Sequence, residues 1–130
     1  MQRHDLHKLH GLGNDFLLWF QPAVPEGASE RAQRWCNRTT GIGADGLIVA
    51  INDRVAPQFV LFNADGGRAE VSGNGLRCFA HAIAGRRGVD KLETLVATDA
   101  GDRSVRITDA LSETASVSVG MGAPNPGPSL

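Results

Sequence analysis

Tyrosine is absent from this chain, and cysteine is limited to Cys36 and Cys78. Two cysteines suggest neither a disulfide framework nor a zinc site, so a reducing cytoplasm is the expected setting. An excess of charge is also lacking. Thirteen basic residues nearly balance fourteen acidic ones, for a net charge of −1. That argues against binding nucleic acid or a membrane surface through bulk charge. No apolar run approaches the roughly 20 residues of a spanning helix, and Met1-Gln2-Arg3-His4-Asp5 carries no apolar signal core. At 130 residues the chain fits one domain with a real core.

Glycine, by contrast, is abundant at 16 residues, and marks turns and close backbone approaches. Leu6 to Leu12 alternates loosely, Gly13-Asn14-Asp15 interrupts, and Phe16-Leu17-Leu18-Trp19-Phe20 reads as a strand, which suggests a hairpin or bulge. Ser29 is a reasonable N-cap for a helix over 30–38, stopped by Gly41-Ile42-Gly43. Apolar strands are expected over 47–51 and 58–62, and further strands over 92–98, 104–108 and 115–119. A second helix, from Asn74 to about Gly85, is apolar or small nearly all round, as in a buried helix. Six to eight strands and one such helix predict an α+β fold. Its sheet would be curled, mixed or antiparallel, and barrel-like, wrapped around the central helix.

Gly41-Ile42-Gly43-Ala44-Asp45-Gly46 matches the G-x-G-x-x-G pattern of dinucleotide sites, but with a helix before it and a strand after it. The fingerprint needs the reverse, so that function is rejected. Asp15, Asp45 and Asp65 lack the His or Glu spacing of a metal site and read as turn formers. The four histidines are expected at the surface or the barrel edge, and Arg86-Arg87 at a solvated helix end. Ser72-Gly73-Asn74-Gly75 places a hydroxyl beside a helix start, whose free backbone N–H groups favour anions.

Taken jointly, Lys8-Leu9-His10-Gly11-Leu12-Gly13-Asn14-Asp15-Phe16, then Gly41 to Leu47, then Phe62-Asn63-Ala64-Asp65-Gly66, then Ser72-Gly73-Asn74-Gly75-Leu76-Arg77-Cys78 closely resemble the N-terminal half of diaminopimelate epimerases. Milder matches run from about His7 to Pro124. The resemblance implies two similar domains facing across a cleft. It implies an isomerase that uses neither metal nor pyridoxal phosphate and interconverts LL- and meso-diaminopimelate for lysine and cell-wall synthesis. Gly73 and Asn74 would offer backbone N–H groups to the substrate α-carboxylate, and Asn14 and Asn63 would contact the substrate. A cysteine from each domain would move the α-proton, one as thiolate and one as thiol.

The chain departs from that pattern twice. Ser72 stands where the first cysteine belongs, and a hydroxyl is far less acidic than a thiol. Glu70 would share its face if both lay on a strand. Cys78 and Cys36 read as core and packing. The second domain is also missing. Residues 1–122 read as the N-terminal domain and 123–130 as the Pro/Gly-rich start of a crossover, so the chain is expected to be part of a longer protein and inactive alone. An open half-cleft would let it pair with a copy of itself. Two alternatives differ in chemistry: a proline racemase, hydroxyproline epimerase or dehydratase relative, and a non-catalytic amino-acid-binding module.

Overall fold

The computed structural model describes residues 5–11, 13–52, 56–108 and 116–119. The expected crossover at 123–130, the Pro124 end of the resemblance, and His4 lie outside them. Strands β1 (Leu6–Gly11) and β2 (Asn14–Phe20) form an antiparallel hairpin, turned at Gly13 with φ of 90°. Helix α1 (Ala28–Cys36) carries the chain across to β3 (Gly46–Ile51), parallel to β2. Strand β4 (Gln58–Asn63) returns antiparallel to β3, and the two-residue β5 (Arg68–Ala69) pairs back on β4. Helix α2 (Gly73–Arg87) follows, then β6 (Leu92–Thr98), β7 (Gly101–Thr108) and β8 (Ser116–Val119). The sheet order is β1-β2-β3-β4-β6-β7-β8, with β5 beside β4.

The sheet is mixed and, among the described residues, its edge strands β1 and β8 do not pair. It nevertheless curls, because α2 packs against strands from both edges, β1 and β8, and against those between. The barrel-like wrap about a central helix is therefore present as an open sheet.

Burial explains the apolar runs. Phe16, Leu18, Ile48, Ala50, Phe59 and Leu61 face α2, with Leu76, Phe79 and Ile83. The alternate residues Leu17, Trp19, Leu47, Val49, Val60 and Phe62 face α1, with Ala28, Ala32 and Cys36. Strands covered on both sides lose the alternation of a half-buried strand. Strand β7 keeps it: Val105 and Ile107 are buried, while Ser104 and Arg106 are exposed.

Three sequence expectations are corrected. The N-cap of α1 is Gly27, at φ of 81°, so the helix starts two residues before the expected 30. Ser29 sits inside the first turn, where its hydroxyl donates to the Gly66 carbonyl at 2.7 Å. That bond ties α1 to the turn after β4, a distant partner that outcompetes a local cap. Second, Glu70 does not share a strand with Ser72. Strand β5 ends at Ala69, and Ser72 already serves α2. Third, Arg86 is more than a solvated helix end. Its guanidinium lies 3.9 Å from the centre of the Phe20 ring and pairs with Asp5, while Arg87 donates to Asn52 Oδ1 at 2.9 Å.

Candidate active site

The first residues of β2 and β3 and the last of β4 share one end of the sheet, since Phe16 stands opposite Gly46 and Gly46 opposite Asn63. The start of α2 reaches the same end. Ser72 is its N-cap, with extended backbone (φ −110°, ψ 130°), and its hydroxyl accepts from the Gly75 N–H at 3.1 Å. The Leu76 N–H makes the first helical bond, to the Ser72 carbonyl at 2.9 Å. The N–H groups of Gly73 and Asn74 lie in the first turn, where no intrahelical acceptor exists. They point where a helix start draws negative charge.

Asn14 and Asn74, sixty residues apart in sequence, touch: Asn74 Nδ2 donates to Asn14 Oδ1 at 2.7 Å. Asn14 Nδ2 in turn donates to Asp45 Oδ2 at 3.1 Å. The expected substrate contacts Asn14, Gly73 and Asn74 therefore form one patch with Ser72. Asn63 belongs to the same sheet end, and its side chain is exposed beyond the turn held by the Gly66 N–H to its carbonyl, 2.8 Å.

Beside this patch lies a charge network that local sequence patterns do not reveal. Arg38 grips Asp15 with two bonds of 2.8 and 3.1 Å and donates to Asp45 Oδ1 at 3.0 Å. Lys8 Nζ adds a contact of 3.5 Å to Asp15. The guanidinium, together with backbone and side-chain bonding from Asp45, holds the Asp15 carboxyl well below the usual carboxylate range. Asp15 and Asp45 thus serve an ion-pair network and are not turn formers as expected. Asp65 is one: its carboxylate accepts the Gly67 N–H at 2.8 Å. The signal for the network is three charges flanking the Gly-rich segments, but Arg38 meets Asp15 across 23 residues, and the Asp15 N–H reaches the Asp45 carboxylate across 30, so the network needs the fold.

The two cysteines are poor proton carriers. Both are buried. Burial pushes the Cys36 thiol up to about 11 and raises that of Cys78 as well. They are core residues, as their sequence positions suggested.

Residues 6–126 match the family model described as diaminopimelate epimerase. The chain belongs to the diaminopimelate epimerase family. Among curated members, it is 41% identical over 118 residues to the diaminopimelate epimerase of Caldanaerobacter subterraneus, covering 90% of this chain and 43% of that protein. It is 40% identical over 121 residues to that of Moorella thermoacetica, covering 91% of this chain and 43% of that protein. The chain thus spans somewhat under half the length of these relatives.

Solved structures agree on the fold. A hydroxyproline epimerase from Agrobacterium vitis, bound to trans-4-hydroxy-L-proline, superposes with a TM-score of 0.61 at 12% identity, over 81% of this chain and 37% of that one. A phenazine biosynthesis protein from Bacillus anthracis superposes at 0.57 with 19% identity, over 89% and 37%. At such identities only the α+β architecture of the epimerase family carries over. No helix among the described residues is long and apolar enough to cross a membrane.

Proposed function

We propose that this chain is the N-terminal half of a cofactor-independent amino-acid epimerase that interconverts LL- and meso-diaminopimelate in the cytoplasm. Residues 1–122 form its domain and 123–130 begin the crossover to a second one. The observation that carries this reading is the start of α2, where Ser72 caps the helix beside two N–H groups and Asn74 rests on Asn14. The Gly73 and Asn74 N–H groups receive the substrate α-carboxylate. Asn14 and Asn63 hold its polar groups, since an amide both donates and accepts.

An α-proton is very weakly acidic. Fixing the carboxylate in oriented dipoles lowers the cost of building negative charge beside it. What remains is a base on each face. Ser72 stands at the position of the first. Its hydroxyl keeps the shape and the cap of a cysteine while lacking its acidity, so the chain binds without turning over. The second base belongs to the domain that faces this cleft, or a second copy covers the cleft in its place.

The test restores the thiol. In Ser72→Cys, the helix start lowers the pKa of the new thiol, so iodoacetamide modifies it near neutral pH while buried Cys36 and Cys78 stay inert. The variant, joined to the C-terminal half of the Moorella thermoacetica relative, exchanges the α-hydrogen of LL-diaminopimelate for deuterium. The Ser72 form does not. A reactive thiol with no exchange overturns the epimerase reading. Diaminopimelate binding without exchange makes the chain an amino-acid-binding module, a reading that Ser72 itself favours.

A further inference from the structure

We infer that Asp45 is the positioning residue of this site: its carboxylate sets which way the Asn14 amide faces, and through Asn14 it orients Asn74 at the start of α2. The inference rests on the substrate-binding roles proposed above for Asn14 and Asn74. An Asn side chain is nearly symmetric in shape, and only its partners decide which end is oxygen. Asp45 Oδ2 accepts from Asn14 Nδ2 at 3.1 Å and from the Asp15 N–H at 3.0 Å. Turning Asn14 over would set its oxygen against that carboxylate and its NH2 against the NH2 of Asn74. Both faces of Asn14 therefore select one orientation, and a charged acceptor is the stronger selector.

Asp45 is itself held. Its N–H donates to the Asp15 carbonyl at 2.9 Å, and its other oxygen accepts from Arg38 at 3.0 Å. Its side chain is 40% exposed, so it contributes little to the core. What it does contribute is a fixed negative group next to Asn14, one step removed from the ligand. With Asn14 so held, its second side-chain N–H and the Asn74 side-chain oxygen Oδ1 are left for a ligand's carboxylate and ammonium.

The experiment follows the side-chain amide signals of Asn14 and Asn74 by 1H–15N NMR in the native chain, Asp45→Ala and Asp45→Asn. In Asp45→Ala both signals move, and the Asn14 amide protons exchange with solvent about tenfold faster, as expected for the loss of one charge-assisted hydrogen bond. The backbone amides of Leu18, Ile48 and Phe79 stay in place. Asp45→Asn is isosteric and can present either a donor or an acceptor, so Asn14 populates two orientations and its signal doubles or broadens. It carries the test if Asp45→Ala fails to fold. Side-chain signals that stay put in the variant that folds overturn the inference.

Titration with meso-diaminopimelate supplies the second readout. The affinity of Asp45→Asn falls about tenfold, and an unchanged affinity with displaced amide signals overturns the link to the ligand. If the native chain binds no diaminopimelate, the substrate reading falls, while the amide signals still decide the role of Asp45.

Discussion

The two ends of α2 solve the same problem in opposite ways. Every helix leaves donors unpaired at its start and acceptors unpaired at its end. At the C-terminal end the backbone satisfies them by itself. Gly88 turns left-handed at φ of 68°, its N–H returns to the Gly85 carbonyl and the Val89 N–H to that of Ala84. Arg86 is then drawn to Asp5 and Phe20, and Arg87 to Asn52. At the N-terminal end a single hydroxyl, that of Ser72, caps one donor, and the next residue but one reaches sideways to Asn14. One end is sealed and the other keeps first-turn donors without an intrahelical acceptor. A site needs the second arrangement, and a stable helix can hold it only if its middle is secure.

The middle is where the largest effect is expected. Phe79 is fully buried and meets Phe59 edge to face at 5.4 Å. Phe79→Ala is expected to cost about 3–5 kcal/mol, measured by urea unfolding. Both ends should fail together, with the Asn14–Asn74 hydrogen bond breaking in the same transition as the Gly88 cap. A loss below about 2 kcal/mol would mean that α2 is not the element on which the sheet is folded.

The same contrast governs what could be read in advance. The middle of α2 and the strands over it were legible, because burial on both faces turns 16–20, 47–51 and 59–62 into unbroken apolar runs. The Ser72-Gly73-Asn74-Gly75 start was legible as a helix entry because a cap and the N–H it accepts are three residues apart. Partners that are distant in sequence were not legible. Ser29 looked like a cap until Gly66 claimed its hydroxyl, and Arg86 looked solvated until Asp5 and Phe20 came beside it. The Arg38, Asp15 and Asp45 network went unread for the same reason: charges carry no register, and only the fold says which of them meet.

Caps give the next effects down. At Gly88 an added Cβ would meet nothing within 4 Å, so Gly88→Ala suffers only the left-handed backbone, about 1–2 kcal/mol. Ser72→Ala leaves the Gly75 N–H without its acceptor and is expected to cost about 1 kcal/mol. Their order in thermal unfolding tests the comparison directly: the end sealed by backbone geometry should lose more than the end capped by one side chain. A greater loss at Ser72 would mean that the N-terminal end carries the helix. Ser72→Cys sits outside this order, since its sulfur can still accept the N–H weakly while adding the acidity that Ser72 lacks.

The smallest expected effect separates the two ends by their carboxylates. Asp5, beside Arg86, and Asp15, beside Arg38, both have pKa values lowered chiefly by a guanidinium that donates to them, and the lowering is larger for Asp15. A carboxyl whose folded pKa lies below its unfolded value of about 3.9 stabilises the fold above that value. The contribution is lost as the pH falls through the folded pKa. Stability should therefore hold from neutrality down to about pH 4 and decline below it, with Asp15→Asn flattening the acid limb more than Asp5→Asn. Carboxyl 13C titration reads each group separately, and Asp15 should remain ionised after Asp5 has taken up its proton. Reversal of that order would show that Arg86 holds its carboxylate more firmly than Arg38 does. The N-terminal end would then be the looser one in charge as well as in capping, and Asp45 would have no rigid neighbour from which to steer Asn14.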